Sequence, residues 1–201
     1  VIKHYKGVCH VYIDGAADLA MAEEVAFNSK VQRPGVCNAA ETLLVDRKIA
    51  DKALPQVATR LLAAGVELCG DIAVQEILSG SGIEIAPASD EDWSEEYLSL
   101  KLSLKVVDGV VEAIEHINQY GSGHTDAIIT ASEKNARRFQ MEVDSSTVFW
   151  NASTRFTDGA QFGMGAEIGI STDKIGARGP MGLDELTSYK WLGEANGLIR
   201  S

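Results

Sequence analysis

Thr42-Leu-Leu-Val-Asp-Arg-Lys-Ile-Ala-Asp-Lys-Ala-Leu-Pro-Gln-Val-Ala-Thr-Arg-Leu-Leu-Ala-Ala-Gly-Val-Glu-Leu-Cys69 holds one complete unit of the fold. Thr42–Val45 is a short apolar run that reads as a buried strand. Ala50, Leu54, Val57 and Leu61 then recur at spacings of 4, 3 and 4, which sets them on one helix face, and Gly65 closes the helix. Val66–Cys69 reads as the next strand. Upstream, Val8–Ile13 reads as a strand. Asp18 caps a helix running to about Lys30, with Leu19, Ala22, Val25 and Ala26 on one face, and Pro34-Gly35 ends it.

Downstream, a less regular segment containing Gly80-Ser81-Gly82 leads to a short strand at Ile83–Ala86, and Asp90–Glu96 reads as an acidic loop. Leu100-Lys-Leu-Ser-Leu-Lys-Val106 alternates strictly, the pattern of a strand with one solvated face. Val110, Ile114 and Ile117 mark a helix ending at Gly121, and Ala127–Thr130 is a strand. Ser132 caps a helix through Ala136, Phe139 and Val143, and Thr147–Trp150 is the last buried strand. Beyond Asn151, glycines punctuate a stretch with little periodicity, and Leu186–Leu192 reads as a final strand. Repeated strand–helix alternation makes the fold class α/β, a three-layer, mostly parallel sheet with helices on both faces.

The chain has 201 residues, 45% of them hydrophobic, enough for a real core. Lys plus Arg (18) against Asp plus Glu (29) gives −11, a charge that disfavours nucleic acid and anionic membranes as partners. Apolar runs fall far short of the roughly 20 residues that span a bilayer. The opening Val-Ile-Lys-His-Tyr-Lys lacks the apolar segment of a signal peptide. Three cysteines without CxxC spacing argue against a disulfide scaffold or zinc ribbon. The expectation is a cytoplasmic protein with reduced thiols.

Cys9 and Cys69 sit in apolar strand runs and read as small core residues. Cys37 lies in a helix-to-strand loop, Arg33-Pro-Gly-Val-Cys-Asn-Ala-Ala40, with Lys30 and Arg33 close in sequence. Cationic neighbours lower a thiol's pKa, and the thiolate is the nucleophile. The residues alone leave a catalytic and a structural role equally open. His4, His10, His116 and His124 show no metal-ligand spacing, so the sequence points to no metal site. His116 reads as a solvated residue on an exposed helix face, and His124, in Gly121-Ser-Gly-His-Thr-Asp126, as a structural hydrogen-bonding residue. Gly163-Met-Gly-Ala-Glu-Ile-Gly169 has one residue too many for GxGxxG and no strand before it, so it reads as no nucleotide cradle. Asn151-Ala-Ser-Thr-Arg-Phe-Thr-Asp-Gly159 gathers hydroxyls, an amide and a guanidinium, a set that suits a carboxylate or phosphate but also an ordinary polar loop.

Four long motifs in order carry a family resemblance: Gln32-Arg-Pro-Gly-Val-Cys-Asn-Ala-Ala-Glu-Thr-Leu-Leu-Val45, Gly123-His-Thr-Asp126, Val148-Phe-Trp-Asn-Ala-Ser-Thr-Arg-Phe-Thr-Asp-Gly159 and Phe162-Gly-Met-Gly-Ala-Glu-Ile-Gly-Ile-Ser-Thr172. The chain resembles the γ-glutamyl phosphate reductases (glutamate-5-semialdehyde dehydrogenases) of the aldehyde dehydrogenase superfamily, from Val1 to about Arg200. The resemblance implies a C-terminal catalytic half, with a thiol-bearing domain over 1–180 and an oligomerisation strand over 181–201. The N-terminal cofactor-binding domain of that family has no counterpart here.

The implied activity is NADPH-dependent reduction of γ-glutamyl phosphate to glutamate 5-semialdehyde in proline biosynthesis, with little or no turnover by the isolated chain. The reductase half of a bifunctional kinase–reductase is a second reading, though an ending at Ser201 favours the separate enzyme. A non-catalytic oligomerisation module is a third. Cys37 becomes the nucleophile, attacking the acyl phosphate to leave a thioester, with its own N–H available to the oxyanion. Arg33 and Arg155 become the cations that receive an anionic small-molecule substrate, with Asn38, Asn151, Ser153 and Thr154 as hydrogen-bonding partners. Glu96 is the positional match for the glutamate that contacts the nicotinamide ribose. The stretch Lys3-His-Tyr-Lys-Gly7 lacks the water-activating glutamate of hydrolytic relatives, which suits an enzyme that must not hydrolyse its thioester. No metal, nucleic acid or membrane enters this reading, and the partner is a second copy of the chain.

Overall fold

The computed structural model describes residues 6–200, so His4 and most of the 3–7 stretch lie outside it. Seven strands form one sheet: β1 (Cys9–Ile13), β2 (Ala40–Asp46), β3 (Glu67–Gly70), β4 (Ala86–Pro87), β5 (Lys101–Val107), β6 (Thr125–Ile129) and β7 (Thr147–Trp150). Their spatial order is β4-β3-β5-β2-β1-β6-β7, and every neighbouring pair is parallel. Central β1 and β2 are buried along their whole length, as a parallel sheet covered on both faces requires. The α/β reading holds.

Helices α1 (Leu19–Val31), α2 (Arg47–Ala63) and α3 (Ile72–Gly80) cover one face; α4 (Val110–Tyr120) and α5 (Glu133–Glu142) cover the other. Each starts where local chemistry dictates. Asp18 accepts from Met21 N, Asp46 from Lys48 N, Asp71 from Val74 N and Ser132 from Asn135 N, four side-chain caps for helix-terminal N–H groups. At its far end α2 stops at Gly65, whose φ of +80° is the left-handed turn a glycine makes without strain. Ala50, Leu54, Val57 and Leu61 are all buried, confirming the face read from their spacing.

Several local readings are corrected. The segment before Gly80 is a regular helix, α3, capped by Asp71. The strand after it shrinks to Ala86–Pro87. The acidic loop is a 3-10 turn, Asp90–Ser94, that buries Trp93. This turn lies over the face of β5 expected to be solvated: Ser103 is fully buried, and Lys105 sits over the Trp93 ring. His116 is likewise 95% buried rather than solvated, packed between His10, Trp93 and Tyr120. Burial there holds its imidazole neutral, with a pKa down to about 3, and the nearby His10 and Lys105 push the same way.

The glycine-punctuated region forms an antiparallel hairpin, β8 (Gly169–Ser171) and β9 (Gly179–Met181). Leu186–Leu192 is no strand: a 3-10 turn over Asp184–Leu186 gives way to chain without regular structure through 200. A strand exists only by pairing, and this segment meets no sheet edge; Tyr189, Trp191 and Leu192 are almost fully exposed. Among the described residues, no helix is long and apolar enough to cross a membrane.

Candidate active site

All seven strands run the same way, so the sheet has a leading and a trailing edge. Cys37 lies in the loop from α1 to β2 and therefore at the leading edge, where Cys9 pairs with Ala40. The loop is held by its own backbone. The Cys9 thiol donates to Cys37 O at 3.2 Å, and Gly7 packs so closely that a Cβ there would stand 2.1 Å from the same oxygen. Asn38, buried, donates from Nδ2 to Thr157 O at 2.8 Å. Of the three cysteines only Cys37 is partly accessible; Cys9 and Cys69 are buried, and burial drives the Cys9 thiol well above its ordinary pKa. The core reading of Cys9 and Cys69 therefore stands.

How Arg155 reaches Cys37 follows from the path of the chain after β7. Asn151 turns the backbone with φ +56°, and the strand exits at the trailing edge. The chain then runs back over the sheet beside α1. Ser29 Oγ donates to Ser153 Oγ at 3.0 Å and accepts from Thr154 N at 3.3 Å. A 3-10 turn over Thr154–Phe156 follows, and Thr125 Oγ1 donates to Thr157 Oγ1 at 2.9 Å, back at the leading edge. Arg155 sits on that return, its Nε donating to Gln32 Oε1 at 2.8 Å.

The sequence-derived set thus divides. Cys37, Asn38, Arg155 and Glu96 share one end of the sheet. The exposed Arg33 is near enough that its charge lowers the Arg155 pKa, burial being the larger cause. Asn151 is elsewhere: its side-chain amide accepts from Thr130 N and donates to Thr130 O at the trailing edge, roughly 16 Å from the leading one at ~3.3 Å per strand residue. Ser153 and Thr154 are buried against Ser29 and present nothing to a ligand from outside. These three residues shape the return path.

The electrostatics of Cys37 differ from the expectation. Lys30 is buried and bound to Glu41 at 2.5 Å, its charge spent inside the protein. Burial lowers the Lys30 pKa and lifts that of Glu41 to about 7, each partner opposing the other's shift. The Cys37 thiol is itself pushed above its ordinary value, first by burial and then by the negative charge of Glu167. Glu96 adds to this, while the thiol's own backbone N–H and Arg155 pull the other way. Burial and two carboxylates thus work against the cationic activation expected from the neighbours in sequence.

Nothing local in the sequence marks Glu167 as a neighbour of Cys37. It lies 130 positions from Cys37 and comes near through the glycine-rich segment, where its Oε2 accepts from Gly159 N at 2.8 Å. The stretch from 159 to 169 forms no strand–turn–helix cradle but leads into β8. Glu96 is carried by the chain beyond the Trp93 turn, braced where Tyr97 OH donates to Asp92 at 2.7 Å and Leu98 N donates to Glu41 at 3.4 Å. Its carboxylate is partly buried and makes no hydrogen bond among the described residues.

No family model matches the chain. The γ-glutamyl phosphate reductase of Thermodesulfovibrio yellowstonii is 57% identical over 200 residues, 100% of this chain and 47% of that protein. Along its whole length the chain is γ-glutamyl phosphate reductase-like. The crystal structure of γ-glutamyl phosphate reductase from Thermotoga maritima superposes with a TM-score of 0.96 at 48% identity, covering 100% of this chain and 48% of that one. An acetylating aldehyde dehydrogenase from Geobacillus thermoglucosidasius shares the fold, with a TM-score of 0.70 at 20% identity over 97% of this chain and 53% of its own. The architecture is that of the aldehyde dehydrogenases. The chain spans about half the length of the γ-glutamyl phosphate reductases it matches.

Proposed function

We propose that this chain is the thiol-bearing half of a γ-glutamyl phosphate reductase and that Cys37 is its nucleophile. The observation that carries the reading is the placement of Cys37. It is the one partly accessible cysteine among the described residues, in a loop fixed through its own carbonyl, on the edge that Arg155 reaches.

The chemistry follows from the groups present. The Cys37 thiol gives its proton to solvent and the resulting thiolate attacks the acyl carbon; the C–O bond to phosphate breaks, and inorganic phosphate leaves with the electron pair. A thioester stays on Cys37. The Cys37 N–H, which faces its own sulfur and has no backbone acceptor among the described residues, is placed to donate to an oxyanion formed on that sulfur's acyl group. A nicotinamide cofactor, when bound, supplies the hydride that takes the acyl group to the aldehyde level and releases the thiolate. The unpaired Glu96 carboxylate beside Cys37 fits a ribose hydroxyl of such a cofactor, and we assign NADPH on the resemblance to the reductase family. A dinucleotide cradle has no counterpart among the described residues, so the bulk of the cofactor site falls to the other half. Arg155 and Arg33 concentrate positive charge that offsets the overall −11 for an anionic substrate. The solvent-facing 187–200 stretch, with Tyr189, Trp191, Leu192, Leu198 and Ile199 exposed, is the surface we assign to self-association in the cytoplasm.

The test uses a full-length reductase containing this chain. Cys37→Ala is expected to cut γ-glutamyl phosphate reduction by at least about 10³-fold with substrate binding retained. Full activity without the thiol would refute the assignment. Arg155→Ala is expected to raise KM more than it lowers kcat, and an unchanged KM would remove Arg155 from the substrate site.

A further inference from the structure

Beside the Cys37 loop a cleft of about 330 Å³ opens between the end of α1 and the returning chain, lined by Asn28, Gln32, Arg155, Phe156, Asp158 and Gln161. Its chemistry is specific: one guanidinium, one carboxylate, three amides and an aromatic ring half exposed to the opening. The guanidinium is oriented by its Nε bond to Gln32, and its terminal nitrogens make no hydrogen bond among the described residues. Asp158 uses Oδ1 to accept from Ala160 N at 2.9 Å and Gln161 N at 3.2 Å, which leaves Oδ2 without a protein donor among the described residues. The cleft is tied to the nucleophile, because Thr157, between its two charged residues, accepts the hydrogen bond from Asn38, the neighbour of Cys37.

We propose that this cleft receives the amino-acid head group of the substrate, with Arg155 binding the α-carboxylate, Asp158 the α-ammonium and Phe156 flanking the methylene chain. The proposal rests on the acyl-phosphate reading above and assigns the end of the substrate remote from the reacting carbonyl. A lone cation would accept any diacid monophosphate. A carboxylate three residues away changes the preference, since a molecule without an ammonium leaves Asp158 facing a second anion. A zwitterionic head satisfies both charges, and the three amides supply its remaining hydrogen bonds. The pair therefore selects α-amino acyl phosphates over simple diacid derivatives.

The test follows iodoacetamide labelling of Cys37 in the 201-residue chain by peptide mass, with L-glutamate, glutarate or 4-aminobutyrate as competitor. L-Glutamate is expected to protect Cys37 at concentrations about tenfold below either competitor lacking one of the two charges. In Asp158→Asn, which keeps the Oδ1 acceptor of the turn, the advantage of glutamate over glutarate is expected to vanish. Equal protection by glutamate and glutarate in the unmodified chain, protection by neither, or discrimination that survives Asp158→Asn would each overturn the proposal. The underlying reading fails separately: a Cys37 that labels normally yet never takes an acyl group from an acyl phosphate sinks the nucleophile, whatever the head-group preference.

Discussion

At Cys37, burial and the charges of Glu167 and Glu96 favour the neutral thiol, while Arg155 and the residue's own N–H favour the thiolate. A raised pKa means less thiolate at neutral pH than in a free cysteine, so alkylation should climb with pH to a midpoint above the free-thiol value. Glu167→Gln removes the largest opposing charge. Its midpoint is expected to move down and its rate at pH 7 to rise, whereas Arg155→Ala should move the midpoint up. Iodoacetamide rate profiles read at the Cys37 peptide check both signs, and an unmoved midpoint in Glu167→Gln would mean that this carboxylate does not face the thiol. Cys37 itself was legible as a loop thiol among basic residues, but the sign of its shift was not. Lys30, one of the two cations close in sequence, is cancelled by Glu41 inside the protein, and Glu167 arrives from far along the chain. Sequence proximity ranks charges poorly once folding decides which of them are buried and paired.

Among the elements, α1 and β2 bracket the nucleophile loop, and the Lys30–Glu41 pair joins one to the other. Removing one partner from a fully buried ion pair strands a charge, so Glu41→Gln is expected to cost about 3–5 kcal/mol in urea unfolding. Lys30→Met with Glu41→Leu should recover most of that loss; a single variant as stable as the parent would mean that the pair is neither buried nor formed. In α2, Leu61→Ala empties a fully buried site and is expected to cost about 2–5 kcal/mol. The faces of α1, α2, α4 and α5 could be read from spacing and caps because burial of an apolar stripe is a local property. Elements that depend on remote coverage could not. His116 lies off the stripe of Val110, Ile114 and Ile117, and the Trp93 turn and His10 complete its enclosure beside Tyr120. Ser103 and Lys105 alternate as if solvated until that same turn covers them. Helix α3 carried a cap signal at Asp71, but Gly80-Ser81-Gly82 beside it read as loop.

On the scale of the whole molecule, a closed core coexists with an edge that carries reactive groups and a tail that carries exposed apolar ones. The 187–200 tail buries little against the rest, so its deletion is expected to change the unfolding free energy in urea by less than about 0.5 kcal/mol while light scattering shows a loss of self-association. A tail deletion that unfolds the core, or leaves association intact, would contradict that assignment. With the cofactor cradle assigned to the other half, the chain alone should reduce no γ-glutamyl phosphate at a rate comparable to a full-length relative. The first half of the reaction needs only the thiol and an acyl phosphate, and it isolates the central claim. Incubating the chain with an acyl phosphate and mapping the product by tandem mass spectrometry should find one acyl group on Cys37, removable by neutral hydroxylamine. An acyl group on any other residue, or none on a Cys37 that iodoacetamide labels freely, would contradict it.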